Sequence, residues 1–116
     1  MQRVNKRKFD TFNDGTILIY RDKDKRTEFG AKKNVSTLDD MNYIARFDYE
    51  ECSKREQDLS FAEQNSRTLS LKVKIRYAPG IDSKCKAVID NYLYDVWCAD
   101  KAENKLYLYM EGVKPI

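Results

Sequence analysis

Two carboxylate doublets, Asp39-Asp40 and Glu50-Glu51, are the residues of this chain most open to an acid–base reading. Neighbours in an extended chain point to opposite faces, so neither doublet converges on one bond. Cys52, Cys85 and Cys98 are odd in number and lack C-x-x-C spacing, which reads as free thiols in a reducing compartment. Histidine is absent. That removes Ser-His-Asp and Cys-His nucleophiles, imidazole acid–base chemistry and every zinc pattern with a histidine ligand. No P-loop, G-x-G-x-x-G or acidic calcium loop is present, and four glycines are too few for a backbone phosphate cradle. The expectation is a non-enzyme with no catalytic residue, cofactor or metal.

Binding chemistry has better candidates. In SLKVKIRYAPGI, residues 70–81, Leu71, Val73, Ile75 and Tyr77 alternate with Ser70, Lys72, Lys74 and Arg76. A period of two sends these sets to opposite faces of a strand, one into a core and the other into water. Lys72, Lys74 and Arg76 would stand about 7 Å apart, a spacing that follows phosphates or meets a partner's carboxylates. The plainer reading is a wet face whose lysines discourage edge pairing. Tyr43, Phe47 and Tyr49 share one parity, as do Tyr107 and Tyr109, and both sets suggest either core or a base-stacking platform. Leu106, Leu108 and Met110 already supply a core face to the last strand. The outer tyrosines therefore need a cover, and a second subunit is the natural one. Leu93 and Trp97, opposite Tyr92, Tyr94 and Val96, pose the same question.

The elements that must position these residues are mostly strands. Residues 9–20 hold an Asn-Asp-Gly turn and then a β-branched run that begins near Gly15; residues 42–50, NYIARFDYE, alternate as a second strand. SKREQDLSFAEQNS, residues 53–66, reads as a short polar helix with a Ser53/Glu56 capping box and with Leu59 and Ala62 on one side. After the quoted strand, Pro79-Gly80 suits a type II turn. KCKAVI (84–89) meets YLYDVWC (92–98) across Asp90-Asn91, which suits a type I′ hairpin, and KLYLYME (105–111) ends the set. The predicted fold is mainly β: a small antiparallel barrel or sandwich of about six strands, with one short helix between strands 2 and 3. One domain spans 1–116, with residues 1–8 as a flexible basic tail (Arg3, Lys6, Arg7, Lys8) and 21–34 as an exposed loop. A net charge of +3 is too weak to mark a nucleic-acid binder. No apolar run approaches the ~18 residues that span a bilayer, and the N-terminus lacks the apolar core of a signal peptide, so a soluble protein is expected.

The order of these parts resembles the phage head-tail joining family, the head-closure or stopper proteins of long-tailed phages. The resemblance rests on a strand containing Ala45, the helix SKREQDLSFAEQ, then LKVKIRYAPGI, then YLYDV and KLYLYME, and is most specific at IRYAPGI, residues 75–81. It implies a β-barrel subunit, forming a homo-oligomeric hexamer or dodecamer ring between the portal-adaptor complex and the tail terminator or tail tube protein. The ring helps to retain packaged double-stranded DNA in the head. The implied location is the virion neck, after assembly in the host cytoplasm. Under this resemblance Lys72, Lys74, Arg76, Leu93, Trp97, Tyr107 and Tyr109 are interface candidates, and Lys54, Arg55 and Arg67 face the channel or its DNA. An OB-like single-stranded nucleic-acid-binding module is the alternative, as is a neighbouring neck protein such as an adaptor or tail terminator.

Overall fold

The computed structural model describes residues 11–22 and 41–116. The basic cluster at 3–8, most of the expected loop at 21–34 and Asp39-Asp40 lie outside them. Among the described residues, six strands and one helix follow in the order β1 (Gly15–Asp22), β2 (Met41–Cys52), α1 (Glu56–Gln64), β3 (Leu71–Arg76), β4 (Cys85–Ile89), β5 (Tyr92–Ala102) and β6 (Lys105–Pro115). All pairings are antiparallel, and the sheet closes on itself in the order β1-β2-β3-β6-β5-β4. The mainly β architecture with its helix between strands 2 and 3 is as expected.

Period-two alternation builds the interior. Ile17 and Ile19 from β1, Val73 and Ile75 from β3, Val96 from β5, and Leu106, Leu108 and Met110 from β6 interlock there with Tyr49. A second, smaller apolar cluster lies on the opposite parity, where Leu18 and Tyr20 pack on Met41, Val88 and Leu93. β1 is thus apolar on both faces, which accounts for its unbroken ILIY run.

Turn chemistry places the strands in register. Asp90 and Asn91 both adopt left-handed backbone, with φ 50° and 61°, as a type I′ hairpin requires. Gly80 takes φ 85° after Pro79, and Arg21 donates to its carbonyl at 2.8 Å and pairs with Asp82 at 3.2 Å. The loop that ends the quoted strand is thereby fastened to β1.

Four local expectations are corrected. The Ser53/Glu56 cap is displaced by two residues: α1 is preceded by Arg55, whose backbone N–H donates to the Asp58 carboxylate at 3.0 Å. The buried side of α1 carries Asp58 and Ala62, one turn apart, while Leu59 is half exposed. In β2 the pairing steps from Ile19↔Ala45 to Tyr20↔Tyr43, so that Ile44 is an extra, bulged residue. A bulge reverses the parity. Tyr43 therefore leaves the face of Phe47 and Tyr49 and stacks edge-on against Tyr20, with ring centroids 5.6 Å apart. The last two strands also run further than expected, β5 to Ala102 and β6 to Pro115, and β6 passes through Gly112, where an added Cβ would meet the Tyr92 ring at 3.1 Å. That glycine marks a close approach within the sheet and not a strand end.

Leu108→Ala is expected to cost about 2–5 kcal/mol, because it empties a fully enclosed barrel site, whereas Leu59→Ser should stay within about 0.5 kcal/mol. Urea denaturation of the two variants checks both.

Candidate functional site

The quoted cationic strand sits at the centre of the most elaborate polar arrangement in the fold. Strand register lays out two parallel rows beneath and beside α1. One reads Cys52, Lys72, Tyr109, Cys98; the next reads Glu50, Lys74, Tyr107, Asp100. Alternation sends both rows to the outside of the barrel, as expected. The expectation of a wet face, however, is overturned: Lys72 and Lys74 are only 5% and 6% exposed.

The reason is that both ammonium groups find carboxylates within the same chain. Lys72 Nζ lies 3.0 Å from Asp58 Oδ2 on α1 and also over the rings of Tyr107 and Tyr109, at 5.3 and 5.1 Å from their centroids. Lys74 Nζ lies 3.1 Å from Glu50 Oε2, directly across the β2–β3 ladder. Burying a lysine alone is costly; burying it against a carboxylate and an aromatic face is tolerable.

The carboxylates are held in turn. Burial pushes the Asp58 carboxyl upward, but the Arg55 amide, the Lys72 ammonium and the Arg55 guanidinium outweigh it and keep the group below the ordinary carboxylate range. Glu50 is held low first by the Thr11 amide, with Lys74 and the Thr11 hydroxyl adding to it against burial. Burial raises the Tyr109 phenol and the Cys98 thiol, which keeps both neutral at ordinary pH.

α1 is the cover that the outer aromatics required. Ala62, Leu69 and Tyr109 form a buried cluster with Trp97 and Tyr107, and Phe61 rests on Trp97 and Tyr109 at 5.5 and 5.7 Å. Below the helix, Ser66 takes φ 55°, and Ser66 and Arg67 return hydrogen bonds to the Glu63 and Ala62 carbonyls, a Schellman-type stop. The site residues named from sequence therefore divide. Lys72, Lys74, Tyr109 and Leu93 are enclosed within the subunit and are not offered at its surface. Trp97 and Tyr107 are half-buried, and Arg76 is exposed, with its guanidinium 5.0 Å from the Phe12 ring.

The channel-facing candidates have partners inside the chain. Arg67 pairs with Glu111 at 3.0 Å and Asp95 at 3.4 Å, and Asp95 also pairs with Lys86. Arg55 holds Asp58 at 3.3 Å, and Lys54 donates to the Ser70 carbonyl at 3.2 Å. Asp58 and Glu50 went unrecognised as lysine partners. The available signal was the surplus of apolar residues on both faces of the last strand, which demanded a cover from the one described helix.

An open groove of about 400 Å³ runs beside α1, lined by Glu50, Arg55, Lys74, Asp100 and Tyr107 among others. Its charges nearly cancel. Among the described residues no group of three or more Cys, Asp or Glu side chains could hold a metal ion, and no helix is long and apolar enough to cross a membrane. No family model matches the chain, and no curated protein matches it.

Removing one member of the buried pair leaves the other charge stranded, so Lys72→Met and Asp58→Leu are each expected to destabilise by about 3–5 kcal/mol, and the two together by less. A double-mutant cycle in urea measures the difference. Because Asp58 and Glu50 titrate below their unfolded values, their contributions are present above the ordinary carboxylate range and are lost as pH falls beneath it. Acid titration should therefore release the Phe61–Trp97 contact, with a change in tryptophan fluorescence that Asp58→Leu abolishes.

Proposed function

We propose that this chain is a structural subunit of the neck of a long-tailed phage, a head-closure or head-tail connector protein. It forms a ring between the portal-adaptor complex and the tail and helps to hold packaged DNA in the head. The observation that carries this reading is the order of parts: a six-stranded antiparallel closed sheet, with its one described helix inserted between β2 and β3 and laid against the outside. That is the order on which the resemblance rests, with residues 75–81 as its most specific piece.

The chemistry of the surface supports a structural role. The buried lysines are neutralised internally, the groove beside α1 has little net charge, and no disulfide links the three cysteines. What the subunit presents instead is a set of separate contact points: Leu59 and Phe61 on α1, and Arg76 and Tyr77 at and just after the end of β3. Rings built from heterologous contacts need such patches on different sides of one subunit. The nucleic-acid alternative is less well served, since Tyr109 lies under α1 and Tyr107 beneath Lys72. Neither ring is free as a stacking platform.

Particles assembled without this chain are expected to show filled heads that leak DNA and carry no tails. Electron microscopy and a nuclease-protection assay report both properties, and heads that keep their DNA and accept tails would remove the reading. Arg76→Glu should fold normally and yet impair ring formation on a portal-adaptor complex. Salt-sensitive binding of single-stranded DNA by the isolated subunit would instead favour the OB-like alternative.

A further inference from the structure

A second cleft, of about 340 Å³, opens at the C-terminal end of α1. Asn65 and Arg67 reach it from the stop that follows the helix, Ser83 and Lys86 from the start of β4 and the turn before it, and Asp95, Val96 and Trp97 from β5. β5 is bulged here: its pairing with β6 steps from Val96↔Met110 to Cys98↔Tyr109, which makes Trp97 the extra residue. Bulges re-aim side chains and gather near functional sites. The Val96 side chain is enclosed in the barrel, so the Trp97 indole is the large apolar surface among these residues.

Two of the lining side chains carry N–H groups that lack an acceptor. Arg67 Nε and Trp97 Nε1 are both buried, and no described residue accepts a hydrogen bond from either. Burying a donor unmade is costly, and such a group calls for an acceptor from outside the chain. Charge narrows what can bring it. Arg67 and Lys86 are shared among three carboxylates: Arg67 meets Glu111 at 3.0 Å and Asp95 at 3.4 Å, and Lys86 meets Asp95 and, at 3.9 Å, Asp22. An anionic guest would have to break these pairs and then face the surplus carboxylate. An ammonium or guanidinium guest has no acceptor to give the two donors.

We propose that this cleft binds a neutral amide group of a partner protein, either a peptide unit or the carboxamide of an Asn or Gln side chain. An amide carries both halves of what the cleft lacks and offers. Its carbonyl oxygen, with two lone pairs, accepts from the unpaired N–H groups, and its own N–H donates to the side-chain oxygen of Asn65 or Ser83. Asn65 already gives its Nδ2 to the Phe61 carbonyl at 2.8 Å, so the acceptor oxygen is what it has to offer. Arg67 is one-third exposed and Trp97 half-buried, so a small turn of either side chain, with no opening of the barrel, brings its N–H to the guest. The proposal stands apart from the neck assignment: it holds or fails whatever assembly the chain enters.

Trp97 is the chain's only tryptophan, so its indole N–H gives a single NMR resonance that reads the cleft directly. The full chain is titrated with N-acetylglycine methylamide, which holds only peptide units, and with propionamide, which holds only a carboxamide. Propionate and propylammonium serve as charged relatives without an amide. At least one of the two amides is expected to shift the resonance saturably, and the one that does so names the source; the charged relatives should leave it in place. Arg67→Lys keeps the charge and removes the Nε donor. Trp97→Phe, followed through the backbone amides of Ser83 and Lys86, keeps an aromatic face and removes the indole donor. Each should weaken amide binding by about tenfold, with thermal melts confirming that both fold. No saturable shift with either amide, the result if an ordered water alone serves the two donors, would overturn the proposal. So would equal or tighter binding of propionate or propylammonium, or wild-type affinity in either variant.

Discussion

The Lys72–Asp58 pair decides where the helix goes. α1 is nine residues long and mostly polar, too short and too dilute in apolar area to order itself. What orders it is a single ammonium on the outside of β3 that must be neutralised, and a carboxylate one turn away from Ala62 that can do so. The pair sits on two tyrosine faces, so its position is set in two directions at once. Phe61 and Ala62 then close over Trp97 and Tyr109, which would otherwise face water.

Such a pair is a poor source of net stability. Taking two charges out of water costs nearly as much as their attraction returns, and a well-packed hydrophobic pair of the same volume would serve as well or better. Its value lies in uniqueness. An apolar contact between α1 and the barrel would tolerate sliding by a turn, whereas a buried ammonium tolerates only the one placement that supplies a carboxylate. Glu50 and Lys74 act in the same way between β2 and β3, where the ladder is only three residues long. The narrowest seam of the barrel is therefore pinned by charge as well as by backbone.

The strands were legible because half-buried strands write their burial into every second residue. Leu71, Val73 and Ile75, and likewise Leu106, Leu108 and Met110, announce an interior face without any knowledge of their neighbours. The two tight turns were legible for a similar reason: Asp90-Asn91 and Pro79-Gly80 are short-range conformational demands. What could not be read were features that depend on pairing between distant segments. The bulge at Ile44 cannot be located from NYIARFDYE, where Tyr43, Ile44 and Ala45 are all apolar, because only the partner strand reveals which residue is extra. Lys72 looked wet because its neutralising carboxylate lies fourteen residues away on another element. Ser53 looked like a cap because capping is a local rule, and the docking of Asp58 onto Lys72 overrode it.

Under the proposed neck assignment, the same correction would change what assembly must accomplish. Were the outer tyrosines and Trp97 bare, a subunit would need its siblings to bury them, and folding and ring formation would be one event. With α1 folded back over them, the subunit closes this apolar face itself, and the exposed large apolar residues among those described are scattered: Tyr43 and Ile44 on β2, Leu59 and Phe61 on α1, Tyr77 after β3, and Val113 and Ile116 near the C-terminal end. Scattered apolar points set among charges make contacts that are modest in area and sensitive to geometry, the kind that form when a partner ring presents many copies in the right places. Under the proposed neck assignment, a subunit of this design would fold first and assemble second, with association following the local charge pattern of each surface more closely than any bulk hydrophobic drive.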